Sequence, residues 1–409
     1  MNTEMNWGQC FAKRTALMRR SAIRELMKAA SRDTIISFAG GLPAADLFPV
    51  PRIKSALTGV LDRFGGHALQ YSATEGLPEL RDWIARRFSN AQLRIQRENV
   101  LITAGGQQAL DLTGRVLLDS GDRVLVENPT YLALLSAWRP SGAEFVAIAC
   151  DADGMKMEEL ERAATRKPKV VYCVPNFQNP QGATLSLSRR ERLVALAREQ
   201  SMAIVEDNPY GELRYGGAAL PNLLELDARN LGESDIDSRV IHTGTFSKVL
   251  MPGLRVGWVV AARAVIDKLT QAKQAADLHT STLSQHLALE LATNGFLETF
   301  LPVLQRSYGE RRDAMLDALE KYFPKSATWS RPEGGMFLLV TLPGKFNTTE
   351  LLPAALEQGV AYVPGEEFHL NGEGKNTLRL SFANASPERI HAGIQALGKV
   401  LAGREWQTS

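Results

Sequence analysis

The chain has 409 residues, of which 44% are hydrophobic and 22% charged, the make-up of a globular protein too long for one small core and suited to two domains. A formal net charge of +2 gives no reason to expect nucleic acid or an acidic membrane as partner. Three scattered cysteines form no CxxC pair and six histidines show no HExxH-like spacing, which argues against a disulfide framework or a metal site and fits a reducing, cytoplasmic setting.

Residues 1–35 form a basic arm without the apolar core of a signal peptide. Within it, Ile23, Leu26, Met27 and Ala30 recur at helical spacing and predict a helix over 14–30. GGLP at 40–43 and FPVP at 48–51 are loop punctuation. No apolar run approaches the roughly 20 residues that cross a bilayer.

Between about residues 75 and 262, short runs rich in Val and Ile alternate with helical patterns. Seven strands are expected, at 100–103, 123–127, 145–148, 170–174, 203–206, 240–243 and 256–260. Helical stretches between several of them, such as 188–200, predict a largely parallel sheet covered on both faces. Ligands of such sheets bind outside the carboxyl ends of the strands. Five of the seven strands are followed there by polar or aromatic groups: AGGQQ at 104–108, NPTY at 128–131, PNFQNPQG at 175–182, DNPY at 207–210 and GTFSK at 244–248.

From about residue 283 the pattern changes. A long helical region to about 322 precedes strands at 334–340, 360–363 and 377–382, with helices at 349–358 and 387–402. This reads as a smaller α+β domain. The expected division is 1–50 as arm and part of the small domain, 51–295 as the large domain and 296–409 as the small one.

The residues after the strands suit one ligand. Gly105 and Gly106 precede a helical pattern, where free N–H groups and the helix dipole favour a phosphate; a plain strand-to-helix turn is the alternative. Neither GxGxxG nor a Walker loop is present, which lowers the case for a dinucleotide or ATP. Lys248 is either a solvated loop charge or an amine that condenses with a carbonyl. Thr245 and Ser247 suit a phosphate and Arg255 can clamp one. Asp207 ends an apolar strand, where a carboxylate needs a positive partner such as a protonated pyridine nitrogen, unless it is a turn aspartate. Tyr131 can stack on an aromatic ring, and Tyr210 and Asn179 can bond a phenolic oxygen. Arg379, among apolar strand residues, needs an anion, from an internal salt bridge or from a substrate carboxylate. A phosphate, a carbonyl, an aromatic nitrogen and a phenolic oxygen together describe pyridoxal 5′-phosphate.

On these motifs the chain resembles the fold type I pyridoxal-phosphate aminotransferases of class I/II, from about Phe38 to the C-terminus. The marks are FAGGLP at 38–43, QYSATEG at 70–76, TAGGQQ at 103–108, ENPTY at 127–131, PNFQNP at 175–180, EDNPY at 206–210, GTFSK at 244–248 and Leu378-Arg379. Within the family it looks most like the 2-aminoadipate and kynurenine/aminoadipate aminotransferases. Gln181 departs from the Thr or Ser that often precedes the glycine of Asn-Pro-x-Gly, a change the turn should survive.

The resemblance implies an α/β fold with a mostly parallel seven-stranded sheet in a large domain and a smaller α+β domain. It implies Lys248, Asp207 and Tyr131 as catalytic residues, with Lys248 carrying the cofactor, Asp207 on the ring nitrogen and Tyr131 stacked on the ring. Asn179 and Tyr210 would bond the phenolic oxygen. Gly105, Gly106, Gln107, Thr245, Ser247 and Arg255 would hold the phosphate, joined by Tyr71 from a neighbouring subunit of a homodimer. Arg379, Asn179 and Gly41 would meet the substrate. An arginine of the N-terminal helix, Arg19, Arg20 or Arg24, with Arg20 preferred, would read an acidic side chain. The expected reaction moves an amino group from an L-amino acid (2-aminoadipate, glutamate, aromatic or branched aliphatic) to a 2-oxo acid such as 2-oxoglutarate. A lyase or decarboxylase would use the same cofactor residues, and some transcription regulators fuse this fold to a DNA-binding domain.

Overall fold

The Val- and Ile-rich runs all become strands: β1 (Val100–Thr103), β2 (Arg123–Asn128), β3 (Glu144–Asp151), β4 (Val170–Cys173), β5 (Ala203–Asp207), β6 (Val240–Thr245) and β7 (Gly257–Val260). The computed structural model describes residues 5–19, 35–232 and 235–405. The seven strands lie in the order β1-β7-β6-β5-β4-β2-β3. Neighbours are parallel except at β7, which runs antiparallel to both β1 and β6. A two-residue strand, Gly154–Met155, folds back on β3 as an eighth member at the edge, too short to show as a pattern in the sequence. β1, β4 and β6 are buried along their whole length, as a sheet covered on both faces requires.

Helices α1 (Gly106–Leu117), α2 (Leu187–Glu199) and α3 (Arg263–Asp277) belong to this layer. The region 282–322 is not one helix. It breaks into α4 (Thr282–Thr293) and α5 (Phe296–Tyr322), bent by 82°. The break falls at Asn294-Gly295, where Gly295 takes a φ of 69° that ends one helix before the next begins. Among the described residues no single helix is long and apolar enough to cross a membrane.

A second, antiparallel sheet joins Thr328–Trp329, β8 (Phe337–Thr341), β9 (Thr377–Ser381) and Val363–Pro364. The expected strand at 360–363 therefore splits. Val360–Ala361 pairs instead with Ile36–Ser37, in parallel. Phe38 N donates to Ala361 O at 2.8 Å, and Ser381 N to Phe38 O at 2.9 Å, so residues 36–41 are stitched to the second sheet. That stitching positions Gly41 for the site. Of the predicted N-terminal helix, Lys13–Leu17 forms a short 3₁₀ turn. Arg20 and Arg24 lie outside the described residues.

Side chains of β5 alternate across the sheet, so Glu206 and Asp207 face opposite sides. Glu206 is fully buried, and accepts from Leu223 N (2.9 Å), Leu224 N (3.1 Å) and His242 Nδ1 (2.9 Å), its register partner on β6. Burial opposes its charge, but His242 and the two backbone N–H groups outweigh it and hold the carboxyl below its usual range. Such a depressed group contributes stability above its unfolded pKa, lost as pH falls through its folded one. We expect Glu206→Gln to cost about 1.5–3 kcal/mol of stability at neutral pH. In urea unfolding the gap from the parent protein should shrink as pH falls through the carboxylate range. A gap that stays constant with pH would show that the charge of Glu206 is not what matters.

Candidate active site

The turn after β1 is built around Gly105. Its φ is 89°, and an added Cβ would lie 2.7 Å from Arg255 Nη2, so conformation and space both demand glycine. Helix α1 begins at the next residue. Its first N–H groups have no intrahelical acceptor, and with the helix dipole they favour an anion. Ala104 is held at both ends: Gln108 Oε1 accepts from its N–H at 2.8 Å, and Arg255 Nη2 donates to its carbonyl at 3.0 Å. Arg255 itself sits at a φ of 53°, uncommon for a residue with a side chain.

The end of β6 meets this turn through β7. An added Cβ on Gly257 would lie 2.8 Å from both Gly105 C and Gly244 O. Thr245 and Ser247 are buried here; the Thr245 hydroxyl donates to Ser247 Oγ at 2.9 Å and accepts from Ser247 N at 3.1 Å. Gln107 is exposed, its amide donating to Ala133 O at 3.2 Å. The turn thus gathers Gly105, Gly106, Thr245, Ser247 and Arg255.

Lys248 is partly buried, and Nζ donates to Gly41 O at 2.9 Å. Burial first, then the charges of Arg379 and Arg255, lower its pKa to about 8. Asp207, 5% exposed, ends β5. Tyr172 Oη on β4 donates to its Oδ2 at 2.8 Å and Thr243 Oγ1 on β6 to its Oδ1 at 2.8 Å. Burial raises the Asp207 pKa, and the two hydroxyls oppose that rise. Among the described residues no Lys or Arg bridges to this carboxylate.

Tyr131 is pushed up to about 12 by burial and by Asp207, against Arg379 and Arg255. Tyr210 is buried, hydrogen-bonded to Asn179, and its pKa is raised chiefly by burial.

Arg379 on β9 is 2% exposed. Nη1 donates to Asn179 Oδ1 at 2.9 Å, Nη2 donates to Ala39 O, and Nε has no partner. The rings of Phe337 and Phe368 lie 4.3 and 5.0 Å from the guanidinium carbon. Burial lowers its pKa to about 10, against Tyr210 and Tyr131. Among the described residues no carboxylate meets it. A buried cation without an anion is costly, so the site calls for an anion from outside. Gly41 is needed beside it, since a Cβ there would lie 2.7 Å from Phe337 Cζ.

One expected residue, Tyr71, which the resemblance assigns to a neighbouring subunit's site, stands outside this cluster. Tyr71 is 79% exposed, edge-on to His279 with ring centroids 5.6 Å apart. Arg20 lies outside the described residues; its neighbour Arg19 is exposed, and its charge bears on Arg139. Four residues went unpredicted: Tyr172, Thr243, Phe337 and Phe368. The first two carried a usable signal, hydroxyls near strand ends flanking the strand of Asp207. The two phenylalanines read as ordinary core.

The sequence profile of the aminotransferase class I and II family matches residues 34–397. The chain is 42% identical over 408 residues to aromatic-amino-acid aminotransferase 1 of Thermococcus litoralis, spanning 97% of this chain and 95% of that one. It is 44% identical over 400 residues to the 2-aminoadipate transaminase of Thermus thermophilus, covering 98% of each. Among solved structures, the α-aminoadipate aminotransferase of Thermus thermophilus, complexed with N-(5′-phosphopyridoxyl)-L-leucine, superposes with a TM-score of 0.91 at 42% identity, covering 99% of this chain and 100% of that one.

The depressed pKa of Lys248 has a direct test. In cofactor-free protein, acylation of Lys248 followed by peptide mass spectrometry should rise with pH through a midpoint of about 8. A midpoint near the ordinary lysine value of about 10.4 would show that burial and the two arginines do not act on it.

Proposed function

Since this chain belongs to the class I and II aminotransferases, transfers amino groups and works with pyridoxal 5′-phosphate, we propose that Lys248, Asp207 and Arg379 divide the chemistry of the site between them. Three observations fit that cofactor and its substrate. The Gly105 turn leaves N–H groups and Arg255 for a phosphate. Asp207 is a buried carboxylate met by two neutral hydroxyls, suited to a protonated ring nitrogen. Arg379 is a buried cation suited to the substrate α-carboxylate. Gly105, Gly106, Gln107, Thr245, Ser247 and Arg255 would hold the phosphate, Tyr131 would cover the ring, and Asn179 with Tyr210 would bond the phenolic oxygen.

When bound, pyridoxal phosphate supplies an aldehyde for the substrate amine and a ring that draws electrons from the α-carbon. The chain does the rest. Arg379 and Asn179 fix the α-carboxylate, with Phe337 and Phe368 keeping the guanidinium flat and dry. Tyr172 and Thr243 favour the ionised form of Asp207, which keeps its partner nitrogen protonated. The Nζ of Lys248, with a pKa of about 8, is partly neutral at physiological pH, so it can take the proton from the α-carbon as base and, as acid, would deliver it to the carbon on the other side of the amino nitrogen. The carrying observation is, among the described residues, a buried carboxylate lacking a cation and a buried cation lacking a carboxylate, with this amine under the influence of the latter.

The substrates we propose are broad. They are L-amino acids with acidic, aromatic or branched aliphatic side chains, with 2-oxoglutarate as acceptor, in keeping with the activities named for the two relatives. Arg379 reads only what all of them share, so preference is set elsewhere, and Arg20 remains our proposed reader of an acidic side chain. We also propose a cytoplasmic homodimer. The dimer is supported by large apolar side chains left exposed, among them Leu42, Leu61, Leu69, Tyr71 and Leu278, and the compartment by three free cysteines. Tyr71 would reach the phosphate of the neighbouring subunit.

Lys248→Ala should abolish turnover, and near-normal transamination by it would refute the assignment. Asp207→Ala should lower kcat by about 10²–10³-fold while the cofactor still binds, as for loss of one aimed charge. A panel of amino donors against 2-oxoglutarate should show activity with aminoadipate, phenylalanine and leucine alike; activity confined to one class would contradict the breadth.

A further inference from the structure

Among the described residues, Arg190, Lys273 and Arg311 are buried cations outside the set described so far, and Lys273 is the one whose partners lead to the turn at Gly105. Lys273 on α3 is 0% exposed. Its Nζ donates to both carboxylate oxygens of Asp277, one turn on, at 2.8 and 2.9 Å. The same Nζ donates to Gln108 Oε1 at 2.8 Å. Gln108 Nε2 in turn donates to Asp277 Oδ2 at 2.7 Å.

This arrangement dictates the orientation of one amide. A lone glutamine can flip, exchanging its oxygen for its NH₂. Here Lys273 requires an acceptor and Asp277 requires a donor, so only one orientation satisfies both. That orientation turns Oε1 toward Ala104 N, the bond that holds the turn at Gly105 from behind. Arg255 holds the carbonyl of the same residue from the other side. Burying a lysine for packing alone would be costly, since an apolar side chain fills such a space without desolvating a charge. A closed polar network is rigid when every member is satisfied.

We propose that Lys273, Gln108 and Asp277 are positioning residues for the phosphate seat, and that they set how strongly the protein prefers pyridoxal phosphate to pyridoxal. The inference rests on the assignment of the Gly105–Gly106 turn to the phosphate. None of the three residues needs to touch the ligand. They fix the turn so that the leading N–H groups of α1 converge on an anion. A ligand without a phosphate does not feel the difference.

The test compares cofactor-free parent protein with Lys273→Met and with Asp277→Ala. Each is titrated by absorbance with pyridoxal phosphate and, separately, with pyridoxal. The Asp277 side chain is 27% exposed, so its variant keeps the test open if Lys273→Met does not fold. Each variant should bind pyridoxal phosphate about tenfold more weakly, the effect of one good hydrogen bond, and pyridoxal within about twofold of the parent. Equal weakening of both ligands, or of neither, would overturn the inference. A parent protein that binds the two ligands equally would instead remove the phosphate assignment itself.

Discussion

Asp207 is met, among the described residues, only by the hydroxyls of Tyr172 and Thr243, so the charge of this buried carboxylate needs a balance that those residues do not provide. Water would do so cheaply at a surface, but not at the end of a central strand. Arg379 poses the same problem with the opposite sign: its guanidinium is buried against two phenyl rings, an amide and a backbone carbonyl. One charge comes from the large sheet and the other from the small antiparallel sheet. Lys248 follows the end of β6 in the large sheet, and its carbonyl partner, Gly41, belongs to a segment sewn to the second sheet. Under the proposed assignment, a ring with a basic nitrogen would satisfy the first charge and a substrate carboxylate the second.

Much of the remaining polar burial braces the loops that carry these groups. Arg190 is fully buried on α2, and its acceptors among the described residues are neutral: Leu185 O, Pro175 O and Pro221 O, each at 2.8 Å, and Asn176 Oδ1 at 2.7 Å. It ties down the loop that ends in Asn179. Glu206 and His242 lock β5 to β6 behind Asp207. Gln108 and its two charged partners do the same for the turn at Gly105. These networks cost desolvation, and what they return is position, which a site built on strand ends and loops needs most.

The strands were legible because β-branched runs between glycine and proline are a strong local signal, and all seven are present. Lys248, Asp207, Arg379 and Asn179 stood out because a charge or amide beside an apolar strand asks for a partner; Arg379 and Asn179 meet in a hydrogen bond, and the charge of Arg379 acts on Lys248. Tyr172 and Thr243 carried a weaker signal, hydroxyls near the ends of the strands beside that of Asp207, which is easily passed over because a hydroxyl in a strand reads as core. Phe337 and Phe368 matter through the cation between them, which pairing of distant segments alone reveals. Lys273 looked like any helical surface lysine; only tertiary packing buries it. The break at Asn294-Gly295 had its signal in the dipeptide, but apolar spacing on both sides concealed it. The division of residues 360–364 between two sheets depends on long-range pairing that no local pattern carries.

The most direct test follows the ring nitrogen itself. Nitrogen NMR of isotopically labelled cofactor should show that nitrogen protonated when bound to the parent protein at neutral pH, and unprotonated when bound to Asp207→Asn. An unprotonated nitrogen in the parent, or a protonation state indifferent to the substitution, would contradict the claim that the buried carboxylate is there to hold that charge.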